Sequence, residues 1–206
     1  MKSVVWKHSL SKKETTLFKK LRSPGAIQDF LDSLPSNLEE KGETSYSPRL
    51  VLAHQKAHCF EGALFAAAIL WYHGKRPLLL DLKTGKDDFD HVVALYKKNG
   101  YWGALSKTNH AVLRFRDPLY KTIRELALSY AHEYFLDNGK KTLLSYSKPF
   151  SLKSFGSGWI TSTEPLWHIA EALDDSPHLP IAPRNNLQKR KLAHPLERQA
   201  GTLKEY

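Results

Sequence analysis

A single cysteine, Cys59, is all the thiol that 206 residues contain. One cysteine excludes an internal disulfide framework and points to a reducing compartment. Long hydrophobic runs are missing too. The longest lies within 62–72, far short of the roughly 20 residues a membrane-spanning helix needs. The opening MKSVVWKHSLSKKETT carries no apolar stretch of signal-peptide length. The expectation is a cytoplasmic protein with no membrane insertion. There is no GxGxxG, P-loop or GxSxG, so nucleotide-binding and serine-hydrolase chemistry have no support. HExxH and CxxC are likewise missing, and neither a metal nor a cofactor is expected. No internal repeat is present.

Acidic charge is scarce only at the ends. The formal net charge is +10. Residues 1–22 hold seven Lys/Arg against one acid, and residues 180–206 hold six against two. The 157 residues between them carry 18 of each sign. Basic arms can contact phosphates or other polyanions. The aromatics do not interleave with these basic residues, as a stacking platform for single strands requires.

What is there begins with HCFEGALFAAAILWYHG. From Ala63 to Leu70 the run is apolar on every face, which predicts a buried helix rather than an amphipathic one. Cys59 and Glu61 fall in its first turn, and Gly74 lies just past its end. Unpaired N–H groups and the positive end of the helix dipole stabilise a thiolate there. Thirty-two residues later comes DHVVALYKKNGYWGALS, which opens on His91 and reads as a hairpin turning at Asn99-Gly100. A thiol at a helix start and an imidazole on a following strand are the parts of a Cys–His nucleophile pair.

Other signals place the surrounding elements. Ser23-Pro24 predicts a helix to about Leu34, and Ser47-Pro48 a second one leading to Cys59. RPLLLDLK (76–83) is a strand. Asp117-Pro118 reads as a third helix start, for a helix over 118–135, and PFSLKSF as a short strand. Ser162 or Thr163 is expected to cap a last helix, EPLWHIAEAL. Residues 1–175 then form one domain with an N-terminal helical extension. Residues 176–206 form a basic, proline-containing tail, wrapped on the surface or partly disordered. His54, His58 and Cys59 are spaced as conceivable metal ligands, but three or four are needed and the pattern is incomplete. His132, His168 and the aromatic set at helical spacing read as solvated or core residues.

The stretches CFEGALFAAAILWYHGKRPLLLDL and HVVALYKKNGYWGALS, over about 55–110, resemble the core of the transglutaminase-like superfamily, a papain-like cysteine fold that includes bacterial peptidase-like proteins. The resemblance implies an α+β fold with a buried cysteine-bearing helix packed on a small antiparallel sheet (77–82, 91–97, 101–106). It also implies catalysis by Cys59 and His91 on a peptide or amide substrate. In that family the third strand commonly runs from Trp to an Asp that orients the histidine. Here the stretch is Trp102 to Ser106, so Ser106 takes the acidic position, with Asn109 as the alternative. A hydroxyl can accept from an imidazole N–H but cannot stabilise an imidazolium as a carboxylate does. Asp90 is expected to point to the opposite face of its strand. Gln55 is a candidate second oxyanion donor or a solvated residue.

Three functions follow from these residues. The first is a cysteine-dependent acyl enzyme, hydrolase or transferase, working through a thioester. The second is a transglutaminase-like binding module that has lost activity. The third is a basic-armed protein that binds nucleic acid or another polyanion.

Overall fold

The computed structural model describes residues 5–40 and 42–204. The N-terminal part is helical: α1 (Lys12–Lys20), α2 (Pro24–Asp32), α3 (Pro48–His54) and α4 (Cys59–Tyr72). Ser23 and Ser47 cap α2 and α3 through their hydroxyls, each with proline at the first helical position, as their Ser-Pro pairs predict. Helix α4 is the central peg, with every residue from Phe60 to Leu70 buried. It ends in a Schellman motif. Gly74 takes φ +80°, its N–H donates to the Trp71 carbonyl, and the Lys75 N–H reaches the Leu70 carbonyl.

Strands follow: β1 (Leu78–Lys83), β2 (His91–Lys98), β3 (Tyr101–Ser106), β4 (Arg116–Tyr120), β5 (Ser145–Ser147), β6 (Phe150–Ser151) and β7 (His178–Pro180). They form a seven-stranded antiparallel sheet in the order β4-β3-β2-β1-β5-β7, with β6 also pairing with β1. The fold is therefore α+β, on a larger sheet than three strands. The β2–β3 turn forms at Asn99 and Gly100 (φ +51° and +87°), the left-handed pair that a tight hairpin requires.

Both faces of the sheet are covered. Leu79, Val92, Ala94, Tyr96 and Leu105 pack under the N-terminal helices. Leu80, Leu82, Val93 and Leu95 pack against Leu126, Tyr130 and Tyr134 on the other side. Period-2 alternation assigns these faces, because successive strand side chains point opposite ways.

Three expectations change. Asp117-Pro118 does not start a helix. Pro118 lies in β4, the sheet's edge, where a missing N–H leaves no ladder bond broken. The helix is α5 (Ile123–Leu128), begun by a Thr122/Glu125 capping box. The last predicted helix is α6 (Trp167–Asp174). Its N-cap is Leu166, and the Ser162 hydroxyl instead bonds locally within 162–164. PFSLKSF is strand only at β6 and turns into a 3₁₀ helix at Leu152.

The stretch from 176 is docked. Strand β7 joins the sheet edge, Ile181 and Ala193 are buried, and Arg190 donates to the Lys141 and Leu143 carbonyls. Helices α7 (Arg184–Gln188) and α8 (Pro195–Gly201) follow. Lys2 and Glu205, among the charged residues of the ends, lie outside the described residues. Among the described residues, no helix is long and apolar enough to cross a membrane.

Candidate active site

The β2–β3 register sets the first half of the site. Val93 pairs with Ser106, so His91, two residues earlier on the same face, is the diagonal neighbour of Ser106. His91 Nε2 lies 2.8 Å from Ser106 Oγ, and both residues are buried. The Ser106 hydroxyl donates its one proton to the Leu113 carbonyl at 2.6 Å. It therefore accepts from His91, and Nε2 carries the hydrogen. The other ring nitrogen, Nδ1, is left to face the thiol. Leu113 holds φ +61°, an uncommon conformation for leucine, with its N–H bound to the Glu133 carboxylate at 2.9 Å.

Ser106 is itself clamped from a distant helix. Gln28, on α2, accepts from the Ser106 N–H (3.0 Å) and donates to the Ser106 carbonyl (2.7 Å). One side-chain amide thus satisfies both buried backbone groups at the end of β3. Close packing holds the next residue. A Cβ at Gly62 would stand 2.4 Å from the Lys107 Cβ, so only glycine lets α4 approach this segment. Lys107 is buried and donates to the Leu34 carbonyl at 2.6 Å.

The second half belongs to α4. Cys59 is its first residue, partly exposed, with Sγ 4.0 Å from the Asp90 carbonyl. His58 and His91 line the same cleft as the thiol and lie near enough to act on its charge. Burial alone would raise the thiol pKa, but these two imidazoles bring it down to about 5. Cys59 would then be a thiolate at neutral pH.

His58 is held from behind. Its Nε2 lies 3.1 Å from the Thr44 carbonyl and 3.4 Å from Glu61 Oε1. A carbonyl only accepts, so Nε2 is protonated and Nδ1 is the ring nitrogen that remains. Glu61 is fully buried and accepts from Asn37 Nδ2 (3.1 Å), Thr44 Oγ1 (2.8 Å) and the N–H groups of Tyr46 (2.9 Å) and His58 (3.0 Å). Burial pushes the Glu61 carboxyl up, yet His58 and these donors hold it down at about 2. Burial likewise opposes the charged form of His58, and Cys59 and Glu61 overcome it, raising its pKa to about 11.

The thiol opens into a cleft of about 220 Å³, whose lining includes Asn37, His58, Cys59, His91, Asn109 and Tyr134. Cys59, His91 and Ser106 thus come together. Asn109 lines the cleft, while the ring bond of His91 goes to Ser106. Asp90 turns its carboxylate to the Thr84 N–H and hydroxyl. Gln55, at φ +54°, folds its exposed amide back on the Leu52 carbonyl and is outside the cleft lining. His54 stacks on Tyr46, with ring centroids 4.6 Å apart, so it does not join His58 and Cys59 as a ligand set. Asp81, Asp90 and Asp174 approach one another, but Lys83 binds Asp174 and the His178 ring bonds Asp81.

Sequence reasoning missed the roles of His58, Glu61 and Gln28. The signal for the first two was H-C-x-E, an N-cap residue with an N3 glutamate. Nothing local marks Gln28, which acts across 78 residues.

No family model and no curated protein matches the chain.

Proposed function

We propose that the chain is a cysteine-dependent acyl enzyme of transglutaminase-like type, acting on peptide or amide bonds. The observation that carries this reading is a partly exposed thiol at a helix start that shares its cleft with His91, whose ring tautomer is fixed by Ser106. Cys59 Sγ would attack the carbonyl carbon, giving a tetrahedral oxyanion near the free N–H groups of the α4 first turn. As the C–N bond breaks, His91, which enters the cycle as an imidazolium with a proton from solvent on Nδ1, gives that proton to the leaving amine, and a thioester remains on Cys59. Water or an amine then gives a proton to His91 and attacks the thioester, and the thiolate departs.

The serine in place of a carboxylate behind His91 favours a second reading, a module that kept this constellation and binds without turnover. Hydroxylamine trapping on fluorogenic peptide amides separates the two. Wild type should release amine and form hydroxamate, and both Cys59→Ala and His91→Ala should lose both products. Absence of product from wild type across a broad amide set favours the binding module. Product from His91→Ala at the wild-type rate would rule out the Cys–His mechanism.

A further inference from the structure

Two imidazoles share one cleft with the sulfur, and they are held differently. His91 is backed by a neutral hydroxyl, which accepts one hydrogen bond and carries no charge. His58 is backed by a fully buried carboxylate with four further donors. A buried carboxylate beside a ring stabilises the protonated ring far more than a hydroxyl does, because Coulomb attraction grows as the surroundings lose water.

We propose that His58, clamped between Glu61 and Cys59, is the standing cationic partner of the Cys59 sulfur, a positioning residue that leaves His91 free to cycle its proton. The proposal rests on the reading of Cys59 as the nucleophile. The proton of the Cys59 thiol resides on His58 Nδ1 in the resting protein. It stays there when His91 has delivered its own proton to the leaving amine, and when the thioester has removed the negative charge from sulfur. Glu61 then remains the counter-ion of His58. When water or an amine attacks the thioester, the cation is already in place for the departing thiolate, which makes sulfur a better leaving group. His91 takes the proton of the attacking group and returns to its starting state, so charge and protons balance over the cycle.

The other ionisable groups around the thiol are each committed elsewhere. Glu39 stands 3.8 Å from His58 and adds to the negative charge on its far side. The Asp90 carboxylate faces Thr84, and Asp88 accepts from the Thr142 hydroxyl. Lys107 Nζ is bonded to the Leu34 carbonyl and the Tyr134 hydroxyl to the Phe89 carbonyl. Burial favours the neutral form of His110, so it adds no standing cation.

The test is the pH profile of iodoacetamide alkylation at Cys59, read by intact mass, for wild type, His58→Gln, His91→Ala and Glu61→Gln. No substrate is needed, so failure of the enzyme reading and failure of this inference are distinguishable. The expected midpoint is near 5 in wild type. In His58→Gln it should move toward the ordinary thiol value of 9.0, cutting the rate at pH 6 by at least about tenfold. His91→Ala should move it by less than half as much. His58 is partly exposed, so the glutamine variant should fold, and a thermal melt checks that. If Glu61→Gln also folds, its midpoint should fall between wild type and His58→Gln. A His58→Gln midpoint equal to wild type, or a His91→Ala shift as large as that of His58→Gln, overturns the assignment.

Discussion

The helix side and the strand side of the cleft solve one problem, orienting an imidazole toward a sulfur, with opposite electrostatics. On the helix side, His58 sits on a buried, fully hydrogen-bonded carboxylate that is locked to the N-terminal turn of α4. On the strand side, His91 sits on the Ser106 hydroxyl, which passes its own proton to a loop carbonyl. The carboxylate fixes charge as well as geometry, whereas the hydroxyl fixes geometry alone. A ring that must give and take protons during a reaction belongs on the second kind of support. The first kind suits a ring that must stay charged.

Removing the strand-side ring is the largest perturbation. His91→Ala should lower amide turnover by about 10²–10⁴-fold, the range for a lost general acid–base. Ser106→Ala should cost about tenfold or less, because only the tautomer and orientation of the ring are released. Steady-state rates on one amide substrate compare the two, and a Ser106→Ala loss equal to that of His91→Ala would show that the hydroxyl does more than orient.

The clamp behind Ser106 comes next. Gln28→Ala leaves a buried N–H and a buried carbonyl of Ser106 without their partners, at about 1–3 kcal/mol in stability. Urea unfolding measures the cost. Activity should fall with it, because the end of β3 sets where the His91 partner stands.

The pH dependence of stability isolates the helix side, whose three groups separate by sign. Glu61 has a folded pKa near 2 against an ordinary 4.5, so its stabilisation is present above 4.5 and is lost as pH falls toward 2. Cys59, near 5 against 9.0, adds stability as pH rises from 5 to 9. His58, near 11 against 6.5, loses its contribution as pH rises from 6.5 to 11. Between about 6.5 and 9 the last two oppose each other, and stability should be level, rising into that window from acid and falling beyond it toward 11. His58→Gln should remove the alkaline decline from this source, which denaturant titrations at stepped pH would show.

Much of this architecture could be read from residue order. The apolar run of α4, its terminal Gly74, the Ser-Pro helix starts and the Asn-Gly turn are local signals whose physics is contained in a few neighbouring residues. Cys59 and His91 were legible for the same reason, one at a helix start and the other opening a hairpin strand. Long-range choices were less so. Pro118 is acceptable at a helix start and equally in an edge strand, and only the finished sheet shows that β4 is the edge. In the sequence His58 stands only as one of an incomplete set of conceivable metal ligands with His54 and Cys59. The carboxylate that claims it, Glu61, is one helical turn away, but Asn37, Thr44 and the Tyr46 N–H, which hold Glu61, come from a segment more than ten residues upstream.

The central claim, that Cys59 is an accessible thiolate, is tested most directly by treating the native protein with iodoacetamide at pH 6 and following the intact mass. The expected result is a single alkylation of the folded protein, much faster than that of an unperturbed cysteine at the same pH and absent from Cys59→Ala. Alkylation that begins only once the protein is unfolded would make Cys59 a core thiol and contradict the account.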